Sequence, residues 1–114
     1  MNEQPSPAIP ESRAYALLGH RRRRLILRIL ADFDDPLSTM ELAELLADCE
    51  CEAPTDRDRQ SALLALSHNH LPKLDDAAVV DYDRQRGTIR SDSNFGVLVG
   101  MIDVGCEEFG PFAE

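Results

Sequence analysis

A chain of 114 residues is about one domain long, and 43% hydrophobic content with few aromatics and no Trp suits a compact core of Leu, Ala, Ile and Val. No apolar run approaches the roughly 18 residues of a membrane span, and Met1 to Pro10 lacks the basic and apolar regions of a signal peptide, so the expected location is cytoplasmic. The formal net charge of -9 argues against a polyanion partner in dilute buffer, but Lys73 is the only lysine and twelve of the 21 acids are Asp, the surface habit of a protein working in concentrated salt.

Residues 1–11 hold three of the seven prolines and no hydrophobic periodicity, and read as a flexible arm. A domain is expected over residues 12–91. Ser12 can cap a short helix through Leu18, and Gly19-His20 permits a bend into a second helix over Arg21 to Phe33. There Leu25, Ile26, Ile29, Leu30 and Phe33 recur at three-to-four spacing and give a buried face. Asp34-Asp35-Pro36 breaks that helix. Ser38-Thr39-Met40-Glu41 is a capping-box pattern and starts another, whose apolar set is Leu42, Leu45 and Leu46 and which runs to Asp48.

Cys49 to Pro54 reads as a loop before a second box, Thr55-Asp56-Arg57-Asp58, and a third long helix follows. On a wheel of 100° per residue Leu63, Leu64, Ser67, Leu71 and Leu74 fall in one arc, expected to face inward. Pro72 removes a backbone donor and crowds the preceding turn, which predicts a distortion near Asn69. The period then changes. Val79 to Asp83 and Thr88 to Ser91 read as a hairpin, with Gly87 supplying the positive φ of its turn. Ser93 can cap a last helix within residues 92–110, and residues 111–114 form a tail.

The predicted order of three helices, a hairpin and a helix is mainly α with a small β-hairpin wing, the layout of a winged helix-turn-helix. The segments Leu17-Leu18-Gly19-His20-Arg21-Arg22-Arg23-Arg24, Leu37-Ser38-Thr39-Met40-Glu41-Leu42-Ala43 and His68-Asn69-His70-Leu71-Pro72-Lys73-Leu74-Asp75-Asp76 through Asp83 resemble the small winged-helix domains of halophilic archaea. Those domains are a family of unknown function distantly similar to ArsR-type repressors. The resemblance covers about residues 14–91 and implies double-stranded DNA as the partner. Where many relatives carry Gly near position 78, this chain has Ala78.

At ~1 M salt the Debye length is about 3 Å, so local basic clusters rather than net charge decide DNA binding. The expected contacts from the third helix are Arg59, Ser61, Asn69 and Lys73, beside the small Ala62 and Ala65, with Asn69 able to pair bidentately with adenine. Asp58 works against them. Arg84, Arg86 and Arg90 lie on or beside the wing turn, from which a guanidinium reaches phosphates or a narrow minor groove; the alternative is pairing with Asp81 and Asp83. Arg21 and Arg22 open the densest basic run, at a helix N-terminus that can hold a phosphate, or they pair with the acidic surface.

Phe95, Leu98, Val99, Ile102 and Cys106 form an apolar stripe expected to mediate homodimerisation, with Gly96 and Gly100 permitting close approach. Three cysteines without an export signal predict free thiols; the alternative for Cys49-Glu50-Cys51 is a metal or redox sensor, which as a zinc site only Cys106 or a distant His could complete. His68-Asn69-His70 has none of the metal-binding strands of the nuclease motif it spells, and His68 is expected beside the core. No nucleophile-base pair, phosphate loop or paired carboxylate indicates catalysis, a cofactor or a small-molecule substrate. The reading is a dimeric DNA-binding transcriptional regulator, the alternative a winged-helix protein-interaction module.

Overall fold

The computed structural model describes the backbone of residues 9–109 and the side chains of residues 9–102. Helix α1 (Glu11–Leu18) leads through Gly19-His20 into α2 (Arg21–Ala31). The cap of α1 is Pro10 and not the expected Ser12, which lies inside the helix; Ile9, assigned to the arm, packs against the core. In α2 the buried residues are Ile26, Leu27, Ile29 and Leu30, joined by the charged Arg23. Phe33 lies beyond the helix end and is exposed, contrary to expectation, because α2 stops at Ala31 and the chain turns outward over Asp32 to Pro36.

Leu37–Ser38 forms a two-residue strand, β1, absent from the sequence reading because two residues carry no period. Ser38 then caps α3 (Thr39–Glu50). Its hydroxyl accepts from the Glu41 N–H at 3.0 Å while the Glu41 carboxylate accepts from the Ser38 N–H at 2.9 Å. Thr55 and Asp58 repeat the box at the start of α4 (Asp56–Ala65). Both expected boxes are therefore present, each satisfying two orphan donors.

The distortion expected before Pro72 is a π-helical turn, Leu66–His70, between α4 and α5 (Leu71–Asp76). Pro72 cannot donate a backbone bond, and its ring crowds the carbonyl four residues earlier. The ladder opens there, and the Leu71 N–H reaches back five residues to the Leu66 carbonyl.

After α5, β2 (Val80–Asp83) and β3 (Thr88–Ser91) form the hairpin, and β1 completes a three-stranded antiparallel sheet in the order β1-β3-β2. Leu37 lies opposite Ile89, which lies opposite Tyr82 on its other side. Gly87 turns the hairpin at φ +66°, as expected; its carbonyl accepts from the Thr39 N–H at 2.8 Å, which ties the wing turn to the start of α3. The chain is a winged helix-turn-helix domain, mainly helical with a small wing.

Helix α6 (Phe95–Phe109) packs on α1 and α2. It belongs to the same core as the rest of the domain. Leu98 and Ile102 are buried in the same cluster as Ile26 and Leu27 of α2 and Leu17 of α1, each such side chain contributing about 1.5 to 3 kcal/mol of transfer free energy. Asn94 fixes its start: its side-chain N–H donates to the Ala77 carbonyl at 2.9 Å, and its backbone N–H donates to the Ala78 carbonyl at 2.8 Å. The helix begins at Phe95, so Asn94 and not Ser93 precedes it.

Candidate nucleic-acid interface

The outward face of the third helix follows from the π-turn. Ala62, Leu66, Leu71 and Leu74 are fully buried, and the step from Leu66 to Leu71 is five residues. A wheel extrapolated backward from Leu71 and Leu74 at a constant 100° assigns the wrong phase to α4. Leu64, expected inside, is 49% exposed, whereas Ala62, expected on the outer face, is fully buried. The uncovered row is Arg57, Gln60, Ser61 and Leu64, which with Asp56 lines a shallow open groove.

Of the expected contacts on this helix, Ser61 lies in that row. Arg59 is turned toward Asp56, donating from Nη1 to Oδ1 at 3.1 Å, a partly exposed pair that competes weakly with another anion. Asn69 is half-buried in the π-turn, displaced from the row by the phase change. Asp58 is committed to the cap of α4, and hydrogen bonds from the Thr55 backbone and side chain hold its carboxyl below the usual range.

On the wing, Arg84, Arg86 and Arg90 are all exposed. Arg84 lies over the Tyr82 ring at 5.7 Å, a cation–π contact that leaves its donors free for a phosphate. The alternative pairing is present only in a loose form: Arg86 Nε stands 3.8 Å from Asp83 Oδ2 with its side chain 82% exposed. Asp83 Oδ1 instead accepts the backbone N–H groups of Gln85 and Arg86 at 3.1 Å each and shapes the turn. Arg90 sits opposite Asp81 in the strand register, with no side-chain hydrogen bond or ion pair to it.

A family model described as "Domain of unknown function (DUF7344)" matches residues 15–90, from α1 to the second wing strand. The chain belongs to this family. No curated protein and no solved structure gives a significant match. The DUF7344 match thus spans all the elements of the helix-turn-helix and its wing, and ends before α6.

Within the DUF7344 domain the basic run of α2 is divided by its environment. Arg21 is exposed at the helix start. Arg22 is spent on a bidentate pair, Nε and Nη2 to the two Glu50 carboxylate oxygens at 2.6 and 2.9 Å, which clamps α2 to the end of α3 and holds the guanidinium more firmly protonated. Arg23 is buried, donating to His70 Nδ1 at 3.2 Å, and Arg24 donates to the Leu18 carbonyl. Lys73 lines a cleft beside α1 on the α5 segment and does not join the α4 row.

His68, expected near the core, is exposed; the π-turn brings His70 inward in its place, edge-on to His20 at 5.1 Å between ring centres. Cys49 and Cys51 are free thiols, and burial, reinforced by the Asp58 carboxylate, pushes the Cys51 thiol up, away from the thiolate that binds metals. Among the described residues no three His, Cys, Asp or Glu side chains are grouped to hold a metal ion, and no helix is long and apolar enough to cross a membrane.

Of the residues expected to form a dimer, Leu98 and Ile102 are consumed by the protomer's own core, and Phe95 and Val99 pack half-buried against it. Cys106 lies outside the described side chains. Sequence reasoning missed Arg57, Gln60 and Leu64; their signal was the spacing 57, 60, 61, 64, visible only once a five-residue step is allowed at Pro72.

Proposed function

We propose that this DUF7344 domain is a DNA-binding transcriptional regulator of the cytoplasm of a salt-adapted cell, reading duplex DNA as a dimer. The observation that carries the reading is the uncovered row Arg57, Gln60, Ser61 and Leu64 on the second helix of a helix-turn-helix, accompanied by exposed Arg84 and Arg86 at the tip of an anchored wing. In this layout the helix enters the major groove and the wing meets the flanking backbone. Arg57 and Gln60 suit base edges, Leu64 suits a thymine methyl, and the wing arginines suit phosphates. Arg21 adds a backbone contact. High salt removes the penalty that the net charge of -9 would otherwise impose.

The test is fluorescence anisotropy of genomic duplexes across a salt series, for the parent and for Arg84→Ala/Arg86→Ala. The parent binds with an affinity falling linearly in log salt. Loss of two phosphate contacts weakens every duplex alike and lowers the slope by about 2. A parent protein without measurable affinity at any salt overturns the reading.

Leu64 supports a second reading, a protein-interaction module. Its apolar side chain, 49% exposed at one end of an open groove, would anchor a partner helix as well as a thymine methyl. Affinity unchanged by the double wing substitution, together with strong loss in Leu64→Asp on a protein ligand, favours it.

A further inference from the structure

A cleft of about 490 Å³ opens between α1, α2 and α5, well apart in sequence from the α4 row. Its apolar walls are Ala16, Leu17 and Pro72. Its charged groups are Arg13, Arg23, Lys73 and Asp76, three cations against one carboxylate on a molecule whose net charge is -9. Asp76 is already neutralised by Arg13, whose Nη2 donates to it at 2.8 Å. Lys73 is exposed and makes no ion pair or hydrogen bond with a described side chain.

Arg23 is the unusual member. It is only 7% exposed, yet no carboxylate pairs with it among the described residues. Its protein acceptors are neutral: His70 Nδ1 at 3.2 Å from Nε, and the Leu17 carbonyl at 3.4 Å from Nη1. Nη2 has no acceptor among the described residues. Buried charges are normally paired, and an isolated buried guanidinium is strongly disfavoured unless something supplies the counter-charge.

We propose that this cleft binds a small molecule bearing a carboxylate or phosphate group, its oxyanion held between Arg23 at the buried end and Lys73 at the open end. The rest of the ligand lies on Ala16, Leu17 and Pro72. A small oxyanion can enter and meet a guanidinium this deeply buried; the backbone of a duplex meets exposed groups, so the cleft is not an extension of the DNA surface. The ligand shares the Arg23 guanidinium with His70, which belongs to the π-turn of the third helix, so occupancy bears directly on the geometry of that helix.

The experiment is a titration of the isotope-labelled full chain with inorganic phosphate and, separately, with hexanoate, at constant ionic strength in chloride, followed by NMR. Saturable shifts centred on the Arg23 Nε–H and on the Leu17 and Lys73 amides are expected with at least one probe, weakened at least tenfold in Lys73→Gln, an exposed substitution that leaves the core intact. Phosphate alone binding assigns a phosphoryl ligand; hexanoate alone, or both, assigns a carboxylate with an apolar tail. The proposal is overturned by non-saturable shifts, by shifts unaffected in Lys73→Gln, or by a duplex oligonucleotide that displaces the probe from the same signals. The first two outcomes involve no DNA, so they stand apart from the fate of the regulator reading.

Discussion

The Arg23–His70 contact requires a neutral imidazole, because Nδ1 accepts the Arg23 Nε–H. Burial first, then the charge of Arg23 and the neighbouring His20 and Arg22, pushes the His70 pKa down from 6.5 to about 4, with Glu50 opposing. The folded-state value is depressed for a base, so between these values the unfolded chain binds a proton that the folded chain does not. Stability is then complete above pH 6.5 and declines as the pH falls toward 4; by pH 5 linkage from this one group removes about 2 kcal/mol. Urea midpoints measured between pH 7.5 and 5 should fall in the parent and stay flatter in His70→Gln, which retains an acceptor for Arg23. Equal slopes in the two proteins would remove His70 as the cause. Ala78 presents a different residue-scale cost. It holds φ at 58°, fixed by its N–H to the Asp75 carbonyl and its own carbonyl to the Asn94 N–H. The left-handed region costs about 1–2 kcal/mol for a residue with a Cβ, and glycine's extra unfolded-state entropy about 0.5–1 kcal/mol. Ala78→Gly should therefore raise stability by about 0.5–1 kcal/mol in a urea melt, and a loss of stability would show that the strain is absent.

At the scale of elements, α4 depends on its start. Its first turn is held by reciprocal bonds between Thr55 and Asp58 at 2.9 and 3.2 Å, and the π-turn at its far end denies it an uninterrupted ladder. Thr55→Ala leaves the Asp58 N–H without its acceptor and should cost about 1 kcal/mol in a urea melt. The same substitution should loosen the uncovered row, seen as faster amide hydrogen exchange at Arg57 to Gln60 than in the remainder of the domain. Uniform exchange changes would place the cap's effect on the whole fold instead of on α4. The wing is better secured: both the N–H and the hydroxyl of Thr39 donate to the Gly87 carbonyl, at 2.8 and 3.2 Å, and so tie the hairpin tip to the start of α3.

For the whole molecule, burial limits which face of α6 a second copy could use. Leu98 and Ile102 are interior to the protomer, so Leu98→Asp with Ile102→Asp would unfold the chain instead of separating two copies. The face of α6 left available carries Val97, 52% exposed, and Gly96 and Gly100, where an added Cβ would meet nothing within 4 Å. A small reader needs two half-sites to reach useful affinity, and a two-fold pairing through this face would supply them. Sedimentation in molar salt should show a dimer for the parent and a monomer of unchanged circular dichroism for Val97→Asp. A monomeric parent at tens of micromolar would end the dimer.

Much of the architecture is legible in the sequence. Ser38 with Glu41, Thr55 with Asp58, Gly87 in its turn and Pro72 with the distortion behind it are signals exchanged between residues no more than six apart, and their energies do not depend on the rest of the fold. The candidate site was legible only in part. Ser61, Arg84, Arg86, Arg90 and Arg21 are exposed as read, while Arg22 is bound to Glu50 across 28 positions and Leu98 is buried on a helix that packs against α1 and α2. Such pairings have no local cue, because the partners lie far apart in the chain and only the fold brings them together. The phase of α4 failed for a geometric reason. One five-residue step at the π-turn rotates everything before it, and only the packing of Ala62, Leu66 and Leu71 together shows that the step was taken. Where elements start, stop and turn follows from neighbouring residues, because those choices are local; which faces they show and which charges remain free follows from tertiary packing, where burial couples residues distant in the chain.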